Sequence, residues 1–289
     1  MRASSARFLM KLRVEHRTVY TYAQPVSSNT NELRLKPVSA HGQNCDSYEV
    51  QLNPPAKLSD YTDFYFNYVQ FFEVAEAHQE LSIASSSEVT TSSSLLPGDA
   101  ETAPLSRLPE CARLEQCYDF TQASTFVAIS PEVWRLAVDA SQGQNDVWQT
   151  AVGIMRFIHS GFSYEPLATH VHTHMFDVLE HRRGVCQDFV HVMLGMCRSL
   201  KIPARYVSGY LYNGPADKLT GAQASHAWCE VYVPDLGWRA LDPTNNQQAD
   251  ERYIKVAVGR DYADVTPVKG HYRGTPDKRM RVEVSVTQL

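Results

Sequence analysis

Along the first ninety residues, apolar and polar side chains follow one another with a period of two. From Arg13 to Tyr22, Val14, His16, Thr18, Tyr20 and Tyr22 stand against Arg13, Glu15, Arg17, Val19 and Thr21. That alternation, rich in β-branched and aromatic residues, predicts a half-buried strand. The runs Ser47–Leu52, Asn67–Val74 and Glu80–Ala84 read the same way, with Asn, Pro and Asp turns between them. Several short strands joined by turns predict a small antiparallel sandwich or barrel. A Ser/Thr/Pro-rich stretch follows, from Ser85 through Thr90–Ser94 to Leu96-Pro-Gly-Asp99, and reads as a domain boundary.

Beyond the boundary the period changes. Ser130 before Pro131–Asp139 supplies an N-cap with proline at the first helical position. Between Val147 and Ser160, the residues Val147, Ala151, Ile154, Phe157 and Ile158 fall on one helical face. From Val185, the recurrence of Phe189, Val190, Met193, Met196, Cys197 and Leu200 predicts a helix with one buried face. It should stop near Leu200, since Pro203 cannot continue the ladder and restricts its predecessor. Two strands follow, Ser225–Pro234 and Trp238–Pro243, joined by the turn Pro234-Asp-Leu-Gly237. The expected class is α+β: an extension over 1–11, a β-rich domain over 12–100 and a second domain of helices and strands over 101–289.

Composition narrows the partners. The chain has 289 residues, 43% hydrophobic and 20% charged, as in an ordinary globular protein of about two domains. A formal net charge of −5 leaves no basic excess for nucleic acid, and no apolar run is long enough to span a membrane. Near the N-terminus only Phe8-Leu-Met10 is apolar, too short for a secretory signal, and Met10 is a second candidate start. Six scattered cysteines without CxxC spacing then point to reduced thiols in the cytoplasm.

One of those cysteines is placed for chemistry. In Arg183-Gly-Val-Cys-Gln-Asp-Phe189, Cys186 opens a helix, where unbonded N–H groups and the positive dipole end favour a thiolate and can hold an oxyanion. Cys197 and Cys229 fall in apolar patterns and read as core. A nucleophilic thiol needs a proton acceptor and a group to orient it. His226 heads one downstream strand and Asp242 ends the next. If the hairpin loop has an odd number of residues, both even-numbered positions project from the same face within reach; an even loop would separate them unless a bulge intervened.

Four blocks in order carry a resemblance. They are Arg183–Phe189, Ile202-Pro-Ala-Arg-Tyr-Val-Ser-Gly-Tyr210, His226-Ala-Trp-Cys-Glu-Val-Tyr232 and Gly237-Trp-Arg-Ala-Leu-Asp-Pro-Thr-Asn245. Together with the tail Val258–Pro267, they resemble the bacterial transglutaminase-like family, papain-like cysteine enzymes with a β-rich N-terminal region. The resemblance covers roughly residues 12 to 289. It implies Cys186 as nucleophile, His226 as general base and acid, and Asp242 as orienting carboxylate. The family includes amide-hydrolysing peptidases and protein cross-linkers. Hydrolysis is the expectation here, with amine transfer or a silent binding module as alternatives, because nothing in the sequence marks a sheltered channel for an amine.

The remaining residues weigh less. Tyr164, Gln187 and Trp228 are expected near a cleft for a peptide or protein substrate, although a core indole suits Trp228 equally. Asp188 reads as a first-turn acid serving the helix, Asp242 before Pro243 also suits an Asx turn, and His191 points away from the thiol. Thr169 and Thr173 match the family framework, whereas His170, His172 and His174 are peculiar to this chain. Alternating histidines can ligate metal, but no carboxylate or cysteine completes a set, so no metal is expected. No DxDxDG loop suggests calcium, and no cofactor is implied. Arg260, Asp261 and Asp264 match the family without an evident chemical role, and the loop Tyr212–Asp217 borders the cleft.

Overall fold

A computed structural model describes residues 9–40, 42–166, 173–214, 219–221 and 225–289. The alternation at the start of the chain becomes β1 (Leu9–Leu33), a 25-residue strand. Leu12, Val14, His16, Thr18, Tyr20 and Tyr22 are buried along one face while Lys11, Arg13, Glu15, Arg17 and Thr21 are exposed on the other. The pairing registers slip between Thr21 and Val26 and between Ser27 and Thr30, and Ser28 has φ +48°. These irregularities let the strand bend, and one strand then serves two halves of a curled antiparallel sheet.

Its neighbours are β2 (Gln43–Asn53), β3 (Ser59–Thr62), β4 (Tyr68–Val74) and β5 (His78–Ser92), in the order β2-β5-β1-β4-β3. Ser85–Ser92, read as linker from its composition, is the second half of β5. It pairs with β1 on one side and β2 on the other, with Ser85, Ser87, Val89 and Thr91 buried in alternation. Small hydroxyl residues lower strand propensity only weakly when both edges are paired, so the ladder prevails over composition.

The helices are short at first, α1 (Leu108–Cys111) and α2 (Glu115–Tyr118), then longer, α3 (Pro131–Ser141) and α4 (Val147–Gly161). Ser130 caps α3 as expected, its Oγ accepting from Val133 N at 3.3 Å, and Asp146 caps α4 through Gln149 N at 3.0 Å. A two-residue parallel pair, β6 (Ser163–Tyr164) with β7 (Arg183–Gly184), flanks α5 (Met175–His181) and leads into α6 (Cys186–Ser199).

Contrary to expectation, α6 does not have a single buried face. Every residue from Gln187 to Ser199 is buried, because α3, α4 and α5 enclose the helix on the side away from the sheet. Its polar residues are accommodated inside. The fully buried Arg198 guanidinium donates to the carbonyls of Ala204, Gln122 and Arg260.

Beneath α6 lies a five-stranded antiparallel sheet, completed by β8 (Ala204–Leu211), β9 (His226–Val233), β10 (Gly237–Asp242), β11 (Gln247–Gln248) and β12 (Tyr253–Gly259) in the order β11-β10-β9-β8-β12. Ala227, Cys229, Val231 and Val233 face α6 and the main core, whereas Trp228 joins Val207, Leu211, Tyr253 and Val258 in a cluster on the opposite face. Leu12, Val14 and Val89 reach into the main core from the first sheet.

After α7 (Tyr262–Val265), β13 (Val268–Arg273) and β14 (Lys278–Gln288) return to β1. The division at residue 100 therefore does not describe the strands. The last two belong to the N-terminal sheet, and pairing Leu12–Tyr22 with Lys278–Gln288 removes the edge that β1 would otherwise expose.

On the second face of the five-stranded sheet, the buried Glu230 pairs with Arg205 (2.6 Å) and Lys255. Burial alone would raise its pKa, but the two cations outweigh that and bring it down to about 2. A carboxylate depressed in the folded state contributes stability above its unfolded value of 4.5, lost as pH falls toward 2. Glu230→Gln should therefore destabilise the protein by about 3 kcal/mol at pH 7. Thermal melts should show that gap shrinking steadily below pH 4.5.

Candidate active site

The site begins with the entry into α6. Asp188 Oδ2 accepts from Val185 N at 2.8 Å, satisfying a donor just ahead of the helix, as its reading as a first-turn acid anticipates. A Cβ on Gly184 would sit 2.6 Å from that oxygen, so only glycine lets the chain turn this tightly. Cys186 is thereby fixed as the first residue of the helix, half-buried, with its N–H among those that precede the intrahelical ladder.

Hairpin parity supplies the partners. Gly237 pairs with Val233, leaving a three-residue loop, and Leu241 pairs with Cys229. The odd loop puts His226 and Asp242 on one face, as the sequence reading requires. His226 Nε2 lies 2.8 Å from Asp242 Oδ2, and both side chains are fully buried. Nδ1 has no other hydrogen-bond partner among the described residues, and the Cys186 side chain interacts with the ring. Burial alone would lower the His226 pKa, but the Asp242 carboxylate and then Cys186 overcome it, raising the value to about 10. For Asp242, burial acts upward and the charge and hydrogen bond of His226 act downward, with a lowered net result.

The two oxygens of Asp242 face different partners. Oδ1 accepts from Thr244 N (2.8 Å) and Asn245 N (3.3 Å) as an Asx turn, while Oδ2 faces the histidine. Asn245 Nδ2 (2.8 Å) and the Tyr253 hydroxyl (2.7 Å) also bond Oδ2. The sequence reading missed these two residues. Asn245 ends the family-like run Gly237–Asn245, but no local pattern marks Tyr253. Gly221 was missed as well. It has φ +85°, and a Cβ there would lie 2.8 Å from His226 Nδ1.

Of the expected cleft residues, Tyr164 stands near Cys186. The β6–β7 pair brings it there, and burial, then the charges of Cys186, Asp188 and Asp242, push its pKa up to about 12. Gln187 is buried next to the thiol. Trp228 is corrected: at 1% exposure it cannot wall an open cleft, and its ring stacks behind His226 at 6.3 Å between centroids. His191 is buried, stacks on Phe126 and accepts from Tyr262 N at 3.3 Å.

His174 caps α5 through Phe176 N, whereas His170, His172 and Thr169 lie outside the described residues, as does the second half of the Tyr212–Asp217 loop. Arg260, Asp261 and Asp264 turn out to be structural. Asp261 caps α7 and accepts from Phe126 N at 2.9 Å, and Arg260 pairs with Asp264.

A thiol at the N-terminus of a buried helix, facing a histidine–carboxylate pair on an antiparallel sheet, defines a papain-like cysteine enzyme. Residues 135–243 match the transglutaminase-like superfamily, and residues 12–90 match the bacterial transglutaminase-like N-terminal region. An uncharacterized protein of Mycobacterium leprae (strain TN) is 35% identical over 285 residues, covering 97% of this chain and all of that one. The chain belongs to the bacterial transglutaminase-like family.

A crystal structure of a candidate cysteine protease from Cytophaga hutchinsonii superposes with a TM-score of 0.80 at 22% identity, over 98% of this chain and 93% of the other, and so shares the fold. A protein-glutamine gamma-glutamyltransferase of Pseudomonas aeruginosa is 34% identical over 140 residues, which is 43% of this chain and 20% of that protein.

Proposed function

We propose that the protein hydrolyses amide bonds in peptides or proteins through Cys186, His226 and Asp242. The observation that carries this reading is the buried 2.8 Å contact of His226 with Asp242 beside a half-buried thiol at a helix start. With its ring pKa raised to about 10, His226 stands as an imidazolium beside the Cys186 sulfur, whose attacking form is the thiolate.

Attack by sulfur on the amide carbon forms a C–S bond and an oxyanion, which N–H groups of the first helical turn stabilise. Collapse expels the amine, which takes the His226 proton, and leaves a thioester on Cys186. His226, now neutral, accepts a proton from water as the water adds to the thioester. Collapse then releases the acid and restores the thiolate. Asp242 holds the ring tautomer throughout and stabilises its charge.

Cys186 is only partly buried, so in this reading water adds to the thioester and an amine acceptor would have to outcompete it. Amine transfer is the second reading, and the Pseudomonas relative favours it. One assay separates the two: a glutamine-containing peptide library incubated with the protein and a labelled primary amine, with products read by mass spectrometry. Newly formed free carboxyl groups should dominate. Label in most products at modest amine concentration would instead establish acyl transfer to amines. We further propose a cytoplasmic location, which the six unpaired thiols support.

A further inference from the structure

Asp242 accepts more hydrogen bonds than a histidine partner requires. The two on Oδ1 come from its own turn, and Asn245 is three residues away. The remaining donor on Oδ2 comes from another strand: the Tyr253 hydroxyl on β12, at 2.7 Å. That hydroxyl also accepts from Gln247 Nε2 at 2.8 Å. An oxygen that accepts from Gln247 keeps its single proton for Asp242. The ring is held edge-on to Trp228, with centroids 5.3 Å apart, and tilted against His226 at 6.1 Å.

The chain on both sides of Tyr253 is fastened to the N-terminal sheet. Thr91 Oγ1 donates to the carbonyl of Glu251 at 2.5 Å, and Ser93 Oγ donates to its carboxylate at 2.5 Å. Gln43 Nε2 donates to the carbonyl of Lys255, and Gln43 Oε1 accepts from Lys255 N, both at 2.8 Å. These bonds reach two residues before and two residues after the tyrosine.

We propose that Tyr253 is a positioning residue for the His226–Asp242 pair, and that the N-terminal sheet holds it in register through Gln43 and Thr91. The proposal rests on reading Cys186, His226 and Asp242 as the reacting groups. Three donors converging on one oxygen stop the carboxylate from rotating away from the ring. The phenol bond also favours the ionised carboxylate, which in turn favours the imidazolium. The β-rich region thereby supports the chemistry without supplying a reacting group.

The test uses the full chain and two readouts: turnover of peptides found by the library digestion, and the pH dependence of Cys186 alkylation by iodoacetamide, which needs no substrate. Tyr253→Phe is expected to lower kcat about tenfold with KM unchanged, the loss of one hydrogen bond to a charged group. It should also shift the alkylation profile to higher pH. Gln247→Leu, which keeps the phenol but frees its proton, should shift both in the same direction by less, and it serves if Tyr253→Phe folds poorly. Gln43→Ala with Thr91→Val should lower kcat about threefold, and adding it to Tyr253→Phe should cost nothing further, because both act through one contact.

A Tyr253→Phe protein that melts lower but keeps kcat and the alkylation profile would overturn the positioning role. Fully additive losses would overturn the part assigned to the N-terminal sheet. Retained turnover in Cys186→Ala is a different failure, removing the catalytic reading itself.

Discussion

Cys186→Ala should reduce amide cleavage about ten-thousand-fold and leave the fold intact. The size follows from the loss of the covalent route, since what remains is binding and oxyanion stabilisation alone. The fold should survive because the side chain is small and only partly buried at the edge of the main core, and alanine removes a single sulfur atom. Circular dichroism and a thermal melt check the second point, and digestion of the peptide library checks the first.

The wild-type thiols give an independent check. Burial pushes the other five upward, Cys117 and Cys197 to about 12. Iodoacetamide at mildly acidic pH should therefore modify one cysteine quickly, mapped to Cys186. Uniformly slow modification of all six, with no turnover, would make the protein a binding module that keeps the fold without the chemistry.

Asp242→Asn should be the second most damaging change, lowering kcat by about a thousandfold or more. Without the carboxylate charge, burial dominates at His226 and pulls its pKa down, so the sulfur loses the neighbouring cation that would stabilise its charged, attacking form. The amide also presents one acceptor where the carboxylate offers two oxygens to five donors, which should cost about 2 to 3 kcal/mol.

The pH dependence of that cost has a definite sign. His226 is raised when folded, so its contribution is complete below the unfolded value of 6.5 and disappears as pH rises through about 10. Asp242 is lowered when folded, so its contribution holds above 3.8 and fades as pH falls below it. Thermal midpoints of wild type and Asp242→Asn should therefore differ most between those two unfolded values and converge toward pH 10. A gap that grows with alkaline pH would contradict the charge pairing.

The candidate site was legible where chemistry is local or periodic. A cysteine at a helix start can be read from Gly184, Val185 and the spacing that follows. The shared face of His226 and Asp242 follows from one parity, fixed by a three-residue loop. What escaped was carried by contacts between distant segments. Tyr253 reaches Asp242 only because β12 lies beside β8, and Gly221 matters only because the chain passes over an imidazole.

The fold divides the same way. The alternation in Arg13–Tyr22 predicted β1, yet its length, its bend and the return of β14 depend on long-range pairing. The composition of Ser85–Ser92 suggests a linker, yet both neighbouring strands supply hydrogen bonds that hold it as strand.

The partnership of Arg13 with Thr287 bears on how the protein is made. As the nascent chain leaves the ribosome, Leu12–Tyr22 can find β5 early, but its other flank stays bare until Lys278–Gln288 has been synthesised. Throughout translation that flank is open to chaperones and to neighbouring copies, which makes it the first place to look for misassembly when expression is forced. Slower elongation would lengthen this vulnerable interval, whereas supplying the β14 segment in trans as a peptide should shorten it.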